Sequence, residues 1–257
     1  MPPTVQLTRV GSYEVEVSEF GSGEPIVYLH DFNGPPGPAE FIERLAKLRR
    51  VIVPAHPGFG GSTDDAAIHQ MINVVVFYQE LFERLGFTTV DVVGHSLGGM
   101  FAAEVAAVAP SSVRRLVLAA PLGLWINESP VPDFLPSGGN ALARMLWADP
   151  ARAVLPPSGG PTPEDALLQA RHTANIAAAT NYLWPLPDRG LRTRLRRISA
   201  PTLLIWGDSD RVVGPEYRDA FQSQIRGSRV DVVSSAGHMA PLEQPEAFAE
   251  SVLRFLN

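Results

Sequence analysis

Val90-Asp91-Val92-Val93-Gly94-His95-Ser96-Leu97-Gly98-Gly99-Met100-Phe101-Ala102-Ala103 is the stretch from which the rest of this chain can be read. A β-branched apolar run ends on a glycine, and a small, apolar, helix-compatible run begins just beyond it. Between them lies G-x-S-x-G, in the strand–turn–helix setting that the pattern requires. So tight a turn forces strained backbone angles on its central residue. The flanking glycines leave room for neighbouring backbone. The Ser96 hydroxyl then stands clear of the sheet, above the N–H groups and positive dipole end of the following helix. Ser96 is the candidate nucleophile.

Working outward, other short apolar runs repeat the first half of this unit. Thr4 to Val10 and Tyr13 to Phe20 alternate and read as a hairpin joined at Gly11-Ser12. Pro25 to Leu29, Val51 to Val53, Val113 to Ala120, Thr202 to Trp206 and Arg229 to Val233 read as further strands. Helical spacing is present from Ala39 to Leu48, with Phe41, Ile42, Leu45 and Leu48 on one face. It recurs from Ala66 to Leu85, with Ile72, Val76, Leu81 and Phe82 apolar, and in Leu97 to Val108, Pro215 to Ile225 and Pro245 to Leu256. Strands alternating with helices predict an α/β fold with a mostly parallel central sheet and helices on both faces.

The rhythm fails between Leu122 and Arg197. Pro130, Pro132, Pro136, Pro150, Pro156, Pro157, Pro161 and Pro163 crowd the first half, and Pro163 to Thr180 is Ala-rich and helix-compatible. Trp125, Phe134, Leu146, Trp147, Tyr182 and Trp184 make it too apolar for a free linker. The expected organisation is a core of residues 1–121 and 198–257 with a helical cap insertion at 122–197. In Arg189 to Arg197, Leu191, Leu195 and Ile198 are spaced as one face of a solvated amphipathic helix.

The 257 residues fit one such domain, with 45% hydrophobic and 19% charged residues as in ordinary globular proteins. A formal net charge of -6 argues against nucleic-acid binding, which needs a basic face. With no cysteine, disulfides and thiolate chemistry are excluded. The stretch Met1 to Gly11 has no basic region followed by an apolar one, and no apolar run is long enough for a bilayer, so a cytoplasmic protein without membrane contact is expected. No metal cluster or phosphate-binding glycine loop stands out, so no cofactor is expected. Oligomeric state has no sequence signal.

A serine hydroxyl needs a base. Of the six histidines, His238 lies in Ser235-Ala236-Gly237-His238-Met239 between the last strand and the last helix, at the sheet edge that Ser96 occupies. His69 and His172 read as surface or cap residues, His56 as part of a loop, and His95 as the variable residue of the elbow. The base needs an acid to hold its tautomer. Gly207-Asp208-Ser209-Asp210 follows a buried strand. Asp210 is preferred, with Asp208 as the alternative, and plain turn hydrogen bonding remains the simpler role for both.

Leu29-His30-Asp31-Phe32, Pro57-Gly58-Phe59-Gly60-Gly61-Ser62, the Ser96 elbow, Gly207-x-x-Asp210 and Gly237-His238 together resemble the α/β-hydrolase superfamily, in its branch of small single-cap serine esterases, lactonases and carbon–carbon bond hydrolases. The resemblance implies Asp210 as the acid and, with the Leu97 N–H, the Phe32 N–H as the second oxyanion donor. Relatives that open epoxides or remove halides carry a carboxylate at the elbow, so Ser96 favours acyl transfer. The chain departs from the pattern at Asp31, where that loop usually reads His-Gly. Asp31 is expected to point outward and cap the Asn33–Gly37 loop. The cap aromatics Trp125, Trp147, Tyr182 and Trp184, with Met239, are candidates to line an apolar substrate pocket, although packing of the cap explains each equally well.

The expected activity is hydrolysis of carboxylic esters of small, mainly apolar substrates through an acyl-enzyme on Ser96. A meta-cleavage-type diketone hydrolase or a lactonase would use the same residues. A weakly catalytic ligand receptor of the same fold is the alternative from another class.

Overall fold

The computed structural model describes residues 3–153 and 162–257. Pro156, Pro157 and Pro161 of the proline-rich stretch, and the first two residues, lie outside the described residues. The strands are β1 (Thr4–Val10), β2 (Tyr13–Phe20), β3 (Pro25–Leu29), β4 (Arg50–Pro54), β5 (Val90–His95), β6 (Val113–Ala119), β7 (Thr202–Gly207) and β8 (Arg229–Val233). They form a single sheet in the order β1-β2-β4-β3-β5-β6-β7-β8. β1 pairs with β2 antiparallel, from Thr4 opposite Glu19 to Val10 opposite Tyr13. β2 joins β4 antiparallel, and every later pairing is parallel. β5 and β7 are buried along their whole length, and their sequences are mainly apolar and not alternating, with Asp91 and His95 of β5 as buried polar exceptions.

The helices are α1 (Glu40–Ala46), α2 (Met71–Arg84), α3 (Leu97–Val108), α4 (Gly139–Leu146), α5 (Pro163–Leu183), α6 (Pro215–Gln224), α7 (Ala240–Glu243) and α8 (Pro245–Leu256). Two apolar cores flank the sheet. One gathers Val74, Tyr78 and Leu81 of α2 and Met100, Phe101 and Ala103 of α3. The other gathers Phe41, Ile42 and Leu45 of α1 and Phe248 and Val252 of α8. Residues 122–197 contribute α4, α5 and short turns, and no strand among the described residues. No helix among those residues is long and apolar enough to cross a membrane.

Three local expectations are corrected. α1 stops at Ala46, and Leu48 is 64% exposed because it falls in the turn beyond the helix. The segment 66–85 is broken: a turn at Ala66–His69, whose Ala67 N–H is accepted by the Asp65 side chain, gives way at extended Gln70 to α2. Its inward face is Val74, Val75, Tyr78, Leu81 and Phe82, while Ile72 and Val76 are exposed.

Arg189 to Arg197 is the third. It forms two short turns, Leu191–Thr193 and Leu195–Arg197, and not one solvated helix. Leu191, Leu195 and Ile198 are buried as their spacing suggested. Arg194 does not face water alone. Its Nε and Nη2 donate to the two carboxylate oxygens of Glu104 on α3 at 2.7 and 2.6 Å, and Glu104 is 1% exposed. Arg197 Nε donates to the Ala107 carbonyl at 2.9 Å. The segment is thus bolted to the back of the helix that carries the elbow.

Arg194→Ala should leave Glu104 buried without a partner and cost about 3 kcal/mol or more in a urea titration, whereas the double change Arg194→Met with Glu104→Leu should recover most of it.

Candidate active site

The site begins with a strained turn. Ser96 sits at φ 55° and ψ -113°, a left-handed conformation that non-glycine residues rarely adopt. Close packing enforces it. A Cβ at Gly98 would collide with the Leu29 carbonyl oxygen, and one at Gly94 with the Gly98 carbonyl oxygen. The Gly98 N–H donates to the His30 carbonyl at 2.9 Å, tying the start of α3 to the loop after β3.

The sequence placed His238 and Asp210 at the same edge, and the structure brings both to Ser96. Ser96 Oγ lies 2.8 Å from His238 Nε2. His238 Nδ1 lies 3.0 Å from Asp210 Oδ2. Asp210 Oδ1 accepts the N–H groups of Val212 and Val213 at 2.8 and 3.0 Å, which turns the other oxygen toward the imidazole. A carboxylate at Nδ1 places the ring hydrogen there and leaves the Nε2 lone pair for the serine hydroxyl. Ser96 and His238 are fully buried. Asp208, the alternative acid, does turn bonding instead: its Oδ2 accepts the Ser235 N–H at 3.0 Å, at the positive-φ corner that leads to His238.

Neither the Phe32 nor the Leu97 N–H donates to a protein acceptor among the described residues. Two buried histidines shape the loop that carries Phe32. His30 Nδ1 donates to its neighbour's carbonyl at Asp31, 2.7 Å away, and His30 Nε2 accepts the His56 N–H at 3.0 Å. His56 Nε2 donates to the His30 carbonyl at 2.8 Å, and its Nδ1 meets the Tyr78 hydroxyl. The rings stack with centroids 3.6 Å apart. Burial holds His56 down to about 3 and lowers His30 as well, so both are neutral. Sequence reasoning left these roles unassigned. The available signal was that each histidine comes just after one of two adjacent strands, β3 and β4.

Asp31 departs from expectation. Its Oδ1 does accept the Asn33 N–H, at 2.7 Å. The side chain is not outward, however: the residue is 8% exposed and Oδ2 lies 3.6 Å from His95 Nδ1. Burial lifts its carboxyl to about 6. Glu243 was also missed. Its Oε1 accepts the Gly237 N–H at 2.6 Å and its Oε2 the Ala148 N–H at 2.7 Å, so one buried carboxylate joins the His238 loop to the end of α4.

A cavity of about 730 Å³ is lined by Asp31 and by Met239, the residue after His238, but not by Ser96, His238 or Asp210 themselves. Leu142, Leu146, Trp147 and Leu242 form apolar wall, and Arg152, Arg171 and His172 add positive or hydrogen-bonding groups. Leu168, Arg171, His172 and Asn175 recur along one face of α5, a helical spacing the sequence held but no motif marked. Of the aromatic and sulfur candidates, Met239 and Trp147 line this cavity. Tyr182 does not: it is fully buried, its hydroxyl donates to the Pro57 carbonyl at 3.3 Å, and its ring meets Phe101 edge-on. Trp125 and Trp184 border a separate cleft of about 130 Å³, and Trp184 is 57% exposed. The packing explanation holds for Tyr182, because α5 needs an aromatic anchor on the core. His69 pairs with Asp64 at 2.8 Å. No group of three or more His, Cys, Asp or Glu among the described residues could hold a metal.

The profile of a family described as the alpha/beta hydrolase fold matches residues 24–245. A 2-hydroxy-6-oxo-6-(2'-aminophenyl)hexa-2,4-dienoic acid hydrolase of Metapseudomonas resinovorans is 26% identical, over 98% of this chain and 90% of its own. The dihydrolipoyllysine-residue acetyltransferase component of an acetoin cleaving system from Pseudomonas putida is 30% identical, over 99% of this chain and 70% of its own. Among solved structures, the carboxylesterase CesB from Bacillus subtilis superposes with a TM-score of 0.75 at 22% identity, covering 100% of this chain and 92% of its own.

Glu243→Ala should free the Gly237 and Ala148 amides, accelerating their hydrogen exchange about 10-fold or more while amides in β5 stay protected. Unchanged exchange at Gly237 would remove Glu243 as the strut of that loop.

Proposed function

Since this chain belongs to the α/β-hydrolase family, we propose that it is a serine hydrolase in which Ser96 is the nucleophile, His238 the base and Asp210 the acid that holds His238. The observation that carries this reading is the unbroken line from Ser96 Oγ to His238 Nε2 and from His238 Nδ1 to Asp210 Oδ2, at 2.8 and 3.0 Å. In the first step His238 takes the hydroxyl proton as Ser96 Oγ bonds to the substrate carbonyl carbon. The carbonyl oxygen gains the negative charge and accepts from the Phe32 and Leu97 N–H groups, above the N-terminus of α3. The leaving group departs with the proton from His238, leaving an acyl-enzyme. His238 then draws a proton from water, whose oxygen attacks the same carbon, and Ser96 is regenerated.

Residues 122–197 act as the cap in this reading. Ser96 is fully covered, and Phe134 packs on Phe32 with ring centroids 4.8 Å apart. Substrate admission therefore requires the cap to shift from the oxyanion loop.

The bond cleaved is an ester of a small, mainly apolar acyl group, consistent with the Leu and Trp wall of the cavity. A second reading is favoured by one observation. Arg152, Arg171 and His172 face the same cavity, which suits a substrate that carries a carboxylate at the end remote from the reacting carbonyl. A carbon–carbon bond hydrolase acting on an oxo-dienoic acid fits that demand, and the Metapseudomonas resinovorans relative bears such a name.

Ser96→Ala should lower turnover by about 10⁴-fold or more and abolish labelling by a fluorophosphonate, with the fold intact. A mild loss would point to another nucleophile. A panel of p-nitrophenyl esters, with and without a terminal carboxylate, beside a 6-oxo-dienoate separates the two substrate readings. Preference for the uncharged esters, unaltered by Arg171→Leu, would remove the acidic substrate.

A further inference from the structure

His95 precedes the nucleophile and is buried. Its Nε2 lies 2.8 Å from the His238 carbonyl oxygen, which can only accept. That nitrogen therefore carries the ring hydrogen, and Nδ1 presents a lone pair. Asp31 Oδ2 stands 3.6 Å from that nitrogen, just beyond hydrogen-bond distance. An ionised carboxylate and a lone pair repel each other, so the contact is favourable only when the pair holds one further proton. The other Asp31 oxygen fixes the Asn33 N–H at 2.7 Å, within the loop that presents Phe32. Asp31 thus stands between the oxyanion loop and, through His95, the backbone of His238 itself.

We propose that Asp31 is a positioning residue whose single proton sets the rate. Protonated, it has a hydrogen to give His95 Nδ1, and a closing shift of about half an ångström would then join the oxyanion loop to the His238 loop by way of His95. Ionised, it opposes the negative charge that develops on the substrate oxygen and loosens that joint. Because it deepens the serine-hydrolase reading, its kinetic arm rests on that reading.

Burial keeps His95 down to about 3 and lifts Asp31 to about 6, so the shared proton belongs to the carboxyl. The groups around Asp31 are Tyr28 and His30 from β3 and its end, His95 from the elbow and His238 from its loop. Across the cavity stand Glu40 of α1, Arg152 beyond α4, and Arg171 and His172 of α5. All of these are present in both proteins of the test below; the Asp31 charge also acts on His238, and its loss disfavours the imidazolium and would raise the ratio toward acid pH, opposite to the trend expected here.

Asp31→Asn is the decisive variant. Its amide oxygen is placed to accept the Asn33 N–H and its amide nitrogen offers His95 Nδ1 a hydrogen, so it imitates the protonated carboxyl at every pH. With a p-nitrophenyl ester, the variant-to-wild-type ratio of kcat should be near one at about pH 5 and climb through the Asp31 titration to the order of tenfold at about pH 8. A ratio that does not change with pH, whether above or below one, overturns the proposal.

Thermal melting supplies an arm that needs no turnover. The folded chain binds the Asp31 proton more tightly than the unfolded chain does. The stabilisation this gives is full below the ordinary carboxylate range and is lost as pH rises through about 6. Asp31→Asn should therefore melt above the wild type at about pH 8 and level with it well below about pH 4, beneath the ordinary carboxylate value. An equal difference at both values overturns the proposal. If neither protein is labelled by a fluorophosphonate, the serine reading falls, and the melting arm still decides the Asp31 proton.

Discussion

Close backbone packing beneath Ser96 is the constraint on which the site depends. Three chain segments, the end of β3, the end of β5 and the first turn of α3, occupy a volume that admits no Cβ at Gly94 or Gly98. The positive φ of Ser96 is the geometric result, and it costs of order 1–3 kcal/mol where no surroundings enforce it. Here the surroundings include a helix buried almost throughout and a sheet covered by two apolar cores. The same packing that strains the turn also brings the Gly98 N–H onto the His30 carbonyl, so the elbow and the loop after β3 are tied together.

Polar groups around that junction are matched pairwise, with little left to solvent. His30, His56 and His95 are all buried, and burial keeps each of them neutral. A neutral imidazole offers one donor and one acceptor, which makes it a directional connector between backbone groups. His30 as acceptor and His56 as donor hold the β3 and β4 loops together, while the other ring nitrogens serve Asp31 and Tyr78. His238 uses the same division differently: Asp210 takes the donor side, and the acceptor side is turned to Ser96. Asp208 and Glu243, neither of which touches Ser96, shape the loop that makes this orientation possible.

What the sequence disclosed followed from how local each signal was. The elbow, the buried strands and the order of Ser96, Asp210 and His238 rest on short runs whose geometry is set within a few residues. Those elements were legible, with errors at helix ends such as Leu48 and the break at Gln70. The cavity was less so, because it is walled by α4, α5 and the Asp31–Pro36 loop, which are far apart in sequence. Aromatic content pointed to Trp125, Tyr182 and Trp184, yet an aromatic ring is as useful for anchoring a helix as for facing a ligand. Arg171 and His172 carried no motif, and Asp31 drew notice only as a departure from a familiar pattern. Its carboxylate turns in beside His95, 64 positions away by the numbering of the two residues, and so distant a neighbour leaves no local signal.

Glu243 has one further consequence. Its two oxygens serve backbone groups on opposite banks of the site, Gly237 beside the imidazole and Ala148 beyond α4. Any movement that parts those banks must hand a sheltered anion and an amide over to water. The ease of parting is therefore a property of the medium as much as of the chain: a dehydrating solvent would favour the shut form, and a well-hydrated one would let it breathe.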